Sequence, residues 1–167
     1  MKLGGRALEA PGARREFAAE LARLSRVGLL VHGGGAEVSA WCARLSLETH
    51  FEDGLRVTDA PTLEVVAAVL AGLANKRLVA ALRACDVDAV GLSLLDGGTL
   101  AARPHPRAAL LGAVGEPAEA DPALLQALLW QGRTPVVASL AADARGGLLN
   151  VNADDAAAAL AGALGAR

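Results

Sequence analysis

The sequence predicts an α/β fold in which parallel strands are joined by crossover helices. Three observations carry that expectation. Short, wholly apolar runs such as Val27 to Val31 and Ala89 to Leu92 alternate with longer runs of helical periodicity. No linker is long enough to divide the chain, so residues 1–167 read as a single domain. The composition, 53% hydrophobic and 20% charged, suits one globular core, and with 39 Ala and 29 Leu against four aromatic residues that core must be aliphatic.

Leu3 is the stub of a first strand, and Ala13 to Leu24 reads as a helix with Phe17, Leu21 and Leu24 on one face. Val27 to Val31 is a fully apolar strand, which His32-Gly33-Gly34-Gly35 ends before a helix over Ala36 to Leu45. From Leu47 to Thr58 the pattern breaks into a polar loop or hairpin. Thr58-Asp59-Ala60-Pro61 then supplies a cap and an early proline for a long helix, Thr62 to Cys85, whose Leu63, Val66, Leu70, Leu73, Leu78 and Leu82 spread over more than one face. After the strand Ala89 to Leu92, the region Asp96 to Glu116 holds two or three short strand candidates and reads as an antiparallel excursion over the sheet edge. A helix from Asp121-Pro122 to Gln131-Gly132, a strand from Pro135 to Leu140, and an Ala-rich helix from Asp154 to Leu164 closed by Gly165 complete the order.

A net charge of −2 with both signs interspersed leaves no basic field, which argues against nucleic acid or an anionic membrane surface as a partner. The longest charge-free stretches, such as Val65 to Asn75 and Ala156 to Ala166, are eleven residues each, short of the roughly 18 that a spanning helix needs. The N-terminus has no apolar leader region, and Cys42 and Cys85 fall in or at the end of helical segments. Both thiols are expected as small core residues in a reducing, cytoplasmic setting. His50 and His105 show no metal-ligand spacing with the cysteines, so no metal site is expected and both read as loop residues.

The strongest local signal is the strand VGLLV running into HGGG, because Gly33, Gly34 and Gly35 let backbone N–H groups converge on an anion with no Cβ in the way. On its own this means an oxyanion or phosphate cradle, or merely a tight strand-to-helix turn. A serine hydrolase would need a G-x-S-x-G elbow, and Gly91-Leu92-Ser93-Leu94-Leu95 lacks the second glycine. Lys2-Leu3-Gly4-Gly5 repeats the strand-to-glycine arrangement with a cation one residue inside it, although a lone Lys near a terminus is also an ordinary solvated residue. In Gly54-Leu55-Arg56-Val57-Thr58-Asp59 a forked guanidinium stands in a loop just ahead of a helix, a suitable place to grip a carboxylate bidentately. Asn150, Asn152 and Asp154 leave a strand end and enter a helix, where they can point into a crevice at the carboxyl edge of the sheet. The plainer alternative makes Asp154 an N-cap and Asn150 a turn former.

Taken in order, these clusters resemble the amino-acid kinase family, and within it the acetylglutamate kinases. The resemblance runs through KLGG (Lys2 to Gly5), HGGGAEV (His32 to Val38), GLRVTD (Gly54 to Asp59), GLANK with the following LV (Gly72 to Val79), AVGLS with DG (Ala89 to Gly97), GxxPVVASL (Gly132 to Leu140) and NVNAD (Asn150 to Asp154), nearly the whole chain. GLRVTD and NVNAD at this separation favour acetylglutamate kinases over carbamate, uridylate or aspartate kinases. The fold implied is a three-layer α/β sandwich with a mainly parallel central sheet, like the N-terminal lobe of an amino-acid kinase.

The resemblance also implies an activity, phosphoryl transfer from ATP with Mg2+ to the side-chain carboxylate of N-acetyl-L-glutamate, giving an acyl phosphate in arginine biosynthesis. Positioning and charge neutralisation dominate such chemistry. By resemblance, Lys2 stabilises charge on the transferring phosphoryl group, Gly4, Gly5 and Gly33 to Gly35 supply N–H donors around it, Arg56 and Asn150 bind the substrate's α-carboxylate, Asn152 joins the substrate site, and Asp154 orients the catalytic lysine. A homodimer is implied as well. Members of the family carry more strand residues before the position of Lys2 and a second, nucleotide-holding lobe, so this chain corresponds to the acetylglutamate-binding lobe alone. By the resemblance, the N-terminal helix of arginine-inhibited members is not expected here, nor is arginine feedback. Two other functions stay open: a non-catalytic acetylglutamate-binding or regulatory fragment, and a related kinase acting on aminoadipate or glutamate bound to a carrier protein.

Overall fold

In the computed structural model, which describes residues 1–4, 12–24 and 28–165, the chain begins with β1 (Lys2–Leu3), α1 (Ala13–Ala22), β2 (Leu30–His32) and α2 (Gly35–Arg44). A two-stranded ribbon, β3 (Phe51–Glu52) and β4 (Leu55–Arg56), precedes one long helical run built from α3 (Ala60–Ala67), a π-helical segment (Ala68–Ala74) and α4 (Asn75–Arg83). Then follow β5 (Ala89–Ser93), β6 (Leu100–Pro104), α5 (Ala108–Leu111), β7 (Val114–Ala120) and α6 (Ala123–Trp130). The last elements are β8 (Thr134–Ala138), β9 (Leu140–Ala142), β10 (Leu148–Val151) and α7 (Ala153–Ala163).

The apolar runs form a wholly parallel four-stranded sheet in the order β1-β2-β8-β5. Side-chain alternation along a strand sorts its residues into two faces. Leu30 and Val136 face α1 and α4 with Leu21, Leu78 and Leu82, while Ala138 meets α2 and the long helix through Val38, Val66 and Leu70. Val31 and Val137 point the other way, onto Leu125 of α6 and Ala156 and Leu160 of α7. Helices on both faces of a parallel sheet make the sandwich that the sequence predicts, and among the described residues its buried hydrophobic side chains are aliphatic apart from Cys42.

A second four-stranded sheet, β6-β7-β10-β9, contains the expected antiparallel excursion, but β10 lies parallel to β7 and antiparallel to β9. The strand read as Pro135 to Leu140 is interrupted at Ser139, where the chain passes from the first sheet into the second. Leu24, expected on the buried face of the first helix, lies past its end and is 52% exposed. Val27, expected to begin the second strand, lies outside the described residues.

The long helix is set by its ends and its inner face. Asp59 caps it by accepting the Thr62 N–H at 2.9 Å, and Pro61 occupies the first turn, where its missing N–H costs nothing. By length and composition alone the run Ala60–Arg83 would pass for a membrane span. Its buried residues Val65, Val66, Val69, Leu70, Leu78 and Leu82 are instead spent on the protein's own core, each large aliphatic side chain contributing about 1.5–3 kcal/mol. Cys42 is buried and Cys85 half-buried, and both are free thiols.

Candidate functional site

Parallel pairing sets Leu3 beside His32, so β1 and β2 end together and release Gly4 and Gly33 at one sheet edge. Ser139 brings the third partner: its N–H donates to His32 O at 3.2 Å, and its carbonyl accepts the Val151 N–H at 3.1 Å. One buried residue thus stitches β2 to β10 and places Asn150 to Asp154 against the glycine loop. A cleft of about 240 Å³ opens there, lined by Lys2 and Gly4, by Gly33, Gly34 and Gly35, and by Arg56, Asn150, Asn152 and Asp154. The structure therefore brings together all the expected site residues that it describes, while Gly5 lies outside the described residues. A larger groove of about 770 Å³, bounded by Leu21, Leu24, Trp130 and Leu164, is dominated by apolar side chains and shares only Lys2 with the cleft.

Arg56 stands in β4 rather than in a loop, the hairpin alternative of the loop or hairpin expected over Leu47 to Thr58. The turn of the ribbon is made by Asp53 and Gly54, both at positive φ (49° and 81°), and it folds Phe51 directly across from Arg56. The guanidinium lies 4.7 Å from the centre of the Phe51 ring. Its Nη2 donates to Gly35 O at 2.6 Å and to Ser39 Oγ at 2.8 Å, whereas Nη1 is buried with no partner among the described residues. Burial lowers the Arg56 pKa from its ordinary value, yet an arginine side chain stays charged in proteins. A buried donor left unmade costs about 1–3 kcal/mol.

The other end of the cleft carries Lys2 and Asp154, with Nζ donating to Oδ2 at 2.9 Å. Asp154 is free for this pair because Asn152, not Asp154, caps α7: its Oδ1 accepts the N–H groups of Asp154 at 2.7 Å and Asp155 at 3.4 Å. Asn150 Nδ2 donates to Thr58 Oγ1 at 3.2 Å, and the Thr58 hydroxyl donates to Arg56 O at 2.8 Å. Through Thr58, fully buried at the base of the ribbon, Asn150 and Arg56 are held as one unit.

Gly34 has an extended φ of −179°, so backbone freedom is not what requires it. A Cβ there would come within 2.8 Å of Leu70 Cδ2, and the glycine is needed for the close approach of the loop to the long helix. At Gly4 and Gly35 a Cβ would meet no atom within 4 Å; their bare backbone leaves the cleft open. The Ser93 N–H and hydroxyl both donate to Asp96 Oδ2, at 2.7 and 2.8 Å, which ties the turn after β5. His50 and His105 lie in loops, and no group of three metal-ligating side chains occurs among the described residues.

Four supporting residues escaped the sequence reading. Thr58, Asn75 and Ser139 lie inside the motifs GLRVTD, GLANK and PVVASL but carried no assigned role in the site, Thr58 being read only with the helix-capping segment. Their signal was present without its meaning. Ser39, which holds the Arg56 guanidinium, had no signal at all.

Residues 1–167 match the Amino acid kinase family. The chain is 47% identical over 169 residues to the chloroplastic acetylglutamate kinase of Arabidopsis thaliana, covering 99% of this chain and 49% of that protein. Among solved structures it resembles smu.665 of Streptococcus mutans UA159, with a TM-score of 0.85 at 27% identity over 98% of this chain and 67% of that one. It also resembles N-acetylglutamate synthase of Neisseria gonorrhoeae, solved with coenzyme A and N-acetyl-glutamate, with a TM-score of 0.81 at 29% identity over 98% of this chain and 38% of that one. The chain spans about half the length of the curated relatives it matches.

Proposed function

Because the chain belongs to the amino acid kinase family, we propose that residues 1–167 form the acceptor-binding part of an enzyme that phosphorylates the side-chain carboxylate of N-acetyl-L-glutamate with ATP, a step of arginine biosynthesis. The observation that carries this reading is the buried, unpartnered Nη1 of Arg56 in a cleft whose opposite end holds Lys2. A dicarboxylate suits such a site, with one carboxylate completing the Arg56 fork and the other lying among Lys2 and the glycine-loop N–H groups. Asn150 supports the Arg56 end through Thr58, Asn152 holds the start of α7, and Asp154 orients Lys2.

The residues at the Lys2 end fit an anionic phosphoryl donor, being bare glycine backbone and one cation that Asp154 holds in place. ATP supplies the phosphoryl group, and Mg2+ comes bound to its phosphates and neutralises their charge. Nucleic acid and membrane are not proposed as partners, given a net charge of −2. The free Cys42 and Cys85 suit a reducing, cytoplasmic compartment. A homodimer is proposed through the outer face of the long helix, where Gly72 and Leu73 are only half-covered between exposed Ala68 and Ala80. Sedimentation of a well-folded sample as a monomer at high concentration would remove that interface.

Titration calorimetry with N-acetyl-L-glutamate tests the substrate. Saturable binding is expected, with clear weakening for N-acetyl-L-glutamine, in which the side-chain carboxylate is an amide. Equal affinity for the two compounds would overturn the assignment of the Lys2 end. A second reading, a non-catalytic unit that binds acetylglutamate, is favoured by the likeness to the Neisseria synthase solved with N-acetyl-glutamate, and it shares the same pocket.

A further inference from the structure

Asn75 is fully buried although it lies in the middle of the long helix, immediately after the π-helical segment. Such segments interrupt regular helices most often at functional places. The side chain of Asn75 reaches down onto the parallel sheet above Gly91, where a Cβ would collide with Asn75 Oδ1. That contact accounts for a glycine within β5. The amide nitrogen faces three groups: Val136 O at 2.8 Å, Leu92 O at 3.2 Å and His32 Nε2 at 3.0 Å. Its oxygen accepts from Lys76 Nζ at 3.0 Å.

The two strand carbonyls can only accept, so the nitrogen of the amide must face them. His32 Nε2 faces the same nitrogen, whose two N–H bonds are shared among the three acceptors, and so presents a lone pair rather than a second hydrogen. The neutral ring therefore carries its proton on Nδ1, and Nδ1–H donates to Gly33 O at 3.0 Å. No cis peptide is present, and in a trans peptide the C=O and N–H point in opposite directions. With Gly33 O turned to the His32 ring, the N–H of Gly34 is turned away from it. His32 is 1% exposed and stands behind the loop, whereas Gly33 and Gly34 line the cleft. The Gly34 N–H has no acceptor among the described residues.

We infer that Asn75 is a positioning residue: by fixing the Nδ1–H tautomer of His32 it sets the Gly33–Gly34 peptide so that the Gly34 N–H bounds the anion end of the cleft. This rests on the acceptor-site reading above for its ligand, but not for its geometry. Burial keeps His32 neutral, and Lys76 on α4 adds to that effect while the Gly33 carbonyl and Glu37 on α2 oppose it.

The test combines side-chain 15N NMR of His32, the backbone amide resonance of Gly34, and calorimetry with N-acetyl-L-glutamate. In the parent protein the ring is expected as the Nδ1–H tautomer at neutral pH. Asn75→Ala should weaken the tautomer preference, which the Gly33 carbonyl then supports alone, and move the Gly34 resonance. His32→Asn keeps an amide donor at the position of Nδ1, whereas His32→Gln places its amide at the position of Nε2. His32→Gln is therefore expected to weaken binding on the order of tenfold more than His32→Asn, about the worth of one hydrogen bond. A merely structural histidine would make the two variants alike. An Nε2–H tautomer in the parent overturns the inference, and so does an unmoved Gly34 resonance in folded Asn75→Ala. If Asn75→Ala does not fold, equal losses in the two His32 variants overturn it instead. If the parent binds no N-acetyl-L-glutamate, the substrate reading falls while the tautomer and the Gly34 resonance still decide the role of Asn75.

Discussion

Lys2 Nζ and Asp154 Oδ2 stand 2.9 Å apart although 152 positions of chain separate them. The pair is partly solvated, with side-chain exposures of 34% and 68%, so its contribution to stability is about 0–1 kcal/mol. Its effect lies in the field of the cleft. Asp154→Asn removes a negative charge from beside the anion end, and N-acetyl-L-glutamate is expected to bind somewhat more tightly at low ionic strength, the gain shrinking as salt is added. The melting temperature should move by no more than about 4 °C. Calorimetry at two salt concentrations, paired with a thermal melt, measures both; an affinity indifferent to the substitution at low salt would place Asp154 outside the site.

Arg56→Lys addresses the opposite end. The native guanidinium spends Nη2 on Gly35 O and Ser39 Oγ and leaves Nη1 buried with no partner among the described residues. A lysine ammonium is a point charge on a flexible stem and cannot serve both directions with the geometry of the fork. Binding of N-acetyl-L-glutamate should weaken by about 1–3 kcal/mol. Titration of a variant shown to be folded, with affinity equal to the parent's, would sink the clamp.

What could be read from the sequence follows from how local each signal is. Gly33 to Gly35, Arg56, Asn150 and Asp154 each sit at a strand end or ribbon, where residue type and neighbours already state the chemistry. Ser139 acts through its backbone on His32 and Val151, and a backbone role leaves no trace in residue type. Asn75 acts through a fold contact with strands far away in sequence. Within a run of Ala, Val and Leu it reads as a stray polar residue. The π-helical winding of Ala68–Ala74 has no counterpart in composition, since small aliphatic residues suit either winding. The second sheet was only half legible, because β6 and β7 carry Arg103, Pro104, Glu116 and Pro117 in place of clean alternation.

His32 gives the protein a pH-dependent stability with a definite sign. Burial, the largest cause, lowers its pKa from 6.5. Above that value the ring is neutral in both folded and unfolded chains, and its contribution is constant. As pH falls below it, the unfolded chain takes up a proton that the folded chain refuses, so stability declines until the folded pKa is reached. The slope for this one group is at most about 1.4 kcal/mol per pH unit. Urea unfolding of the parent and of His32→Asn between pH 8 and pH 5 should show a steeper acid loss in the parent. Parallel curves would mean that His32 titrates in the fold as it does in the unfolded chain.

The final expectation is that the 167-residue polypeptide alone binds its acceptor yet does not turn over ATP measurably. Phosphoryl transfer is catalysed by groups that surround both the attacking carboxylate and the leaving nucleoside diphosphate. Of the two cations that line the cleft among the described residues, Arg56 is turned to Gly35 and Ser39, and Lys2 stands at the opposite end paired with Asp154. The chain also spans only 49% of the Arabidopsis kinase it resembles, and the absence of even one cationic stabiliser can cost about 10³–10⁵ in rate. Hydroxylamine trapping of acyl phosphate with the purified chain, ATP, Mg2+ and N-acetyl-L-glutamate measures this directly, with Lys2→Ala as the control. No hydroxamate, alongside saturable acetylglutamate binding, is the expected result. Robust hydroxamate that disappears in Lys2→Ala would show a complete catalytic centre within these residues, and would at the same time exclude the non-catalytic reading.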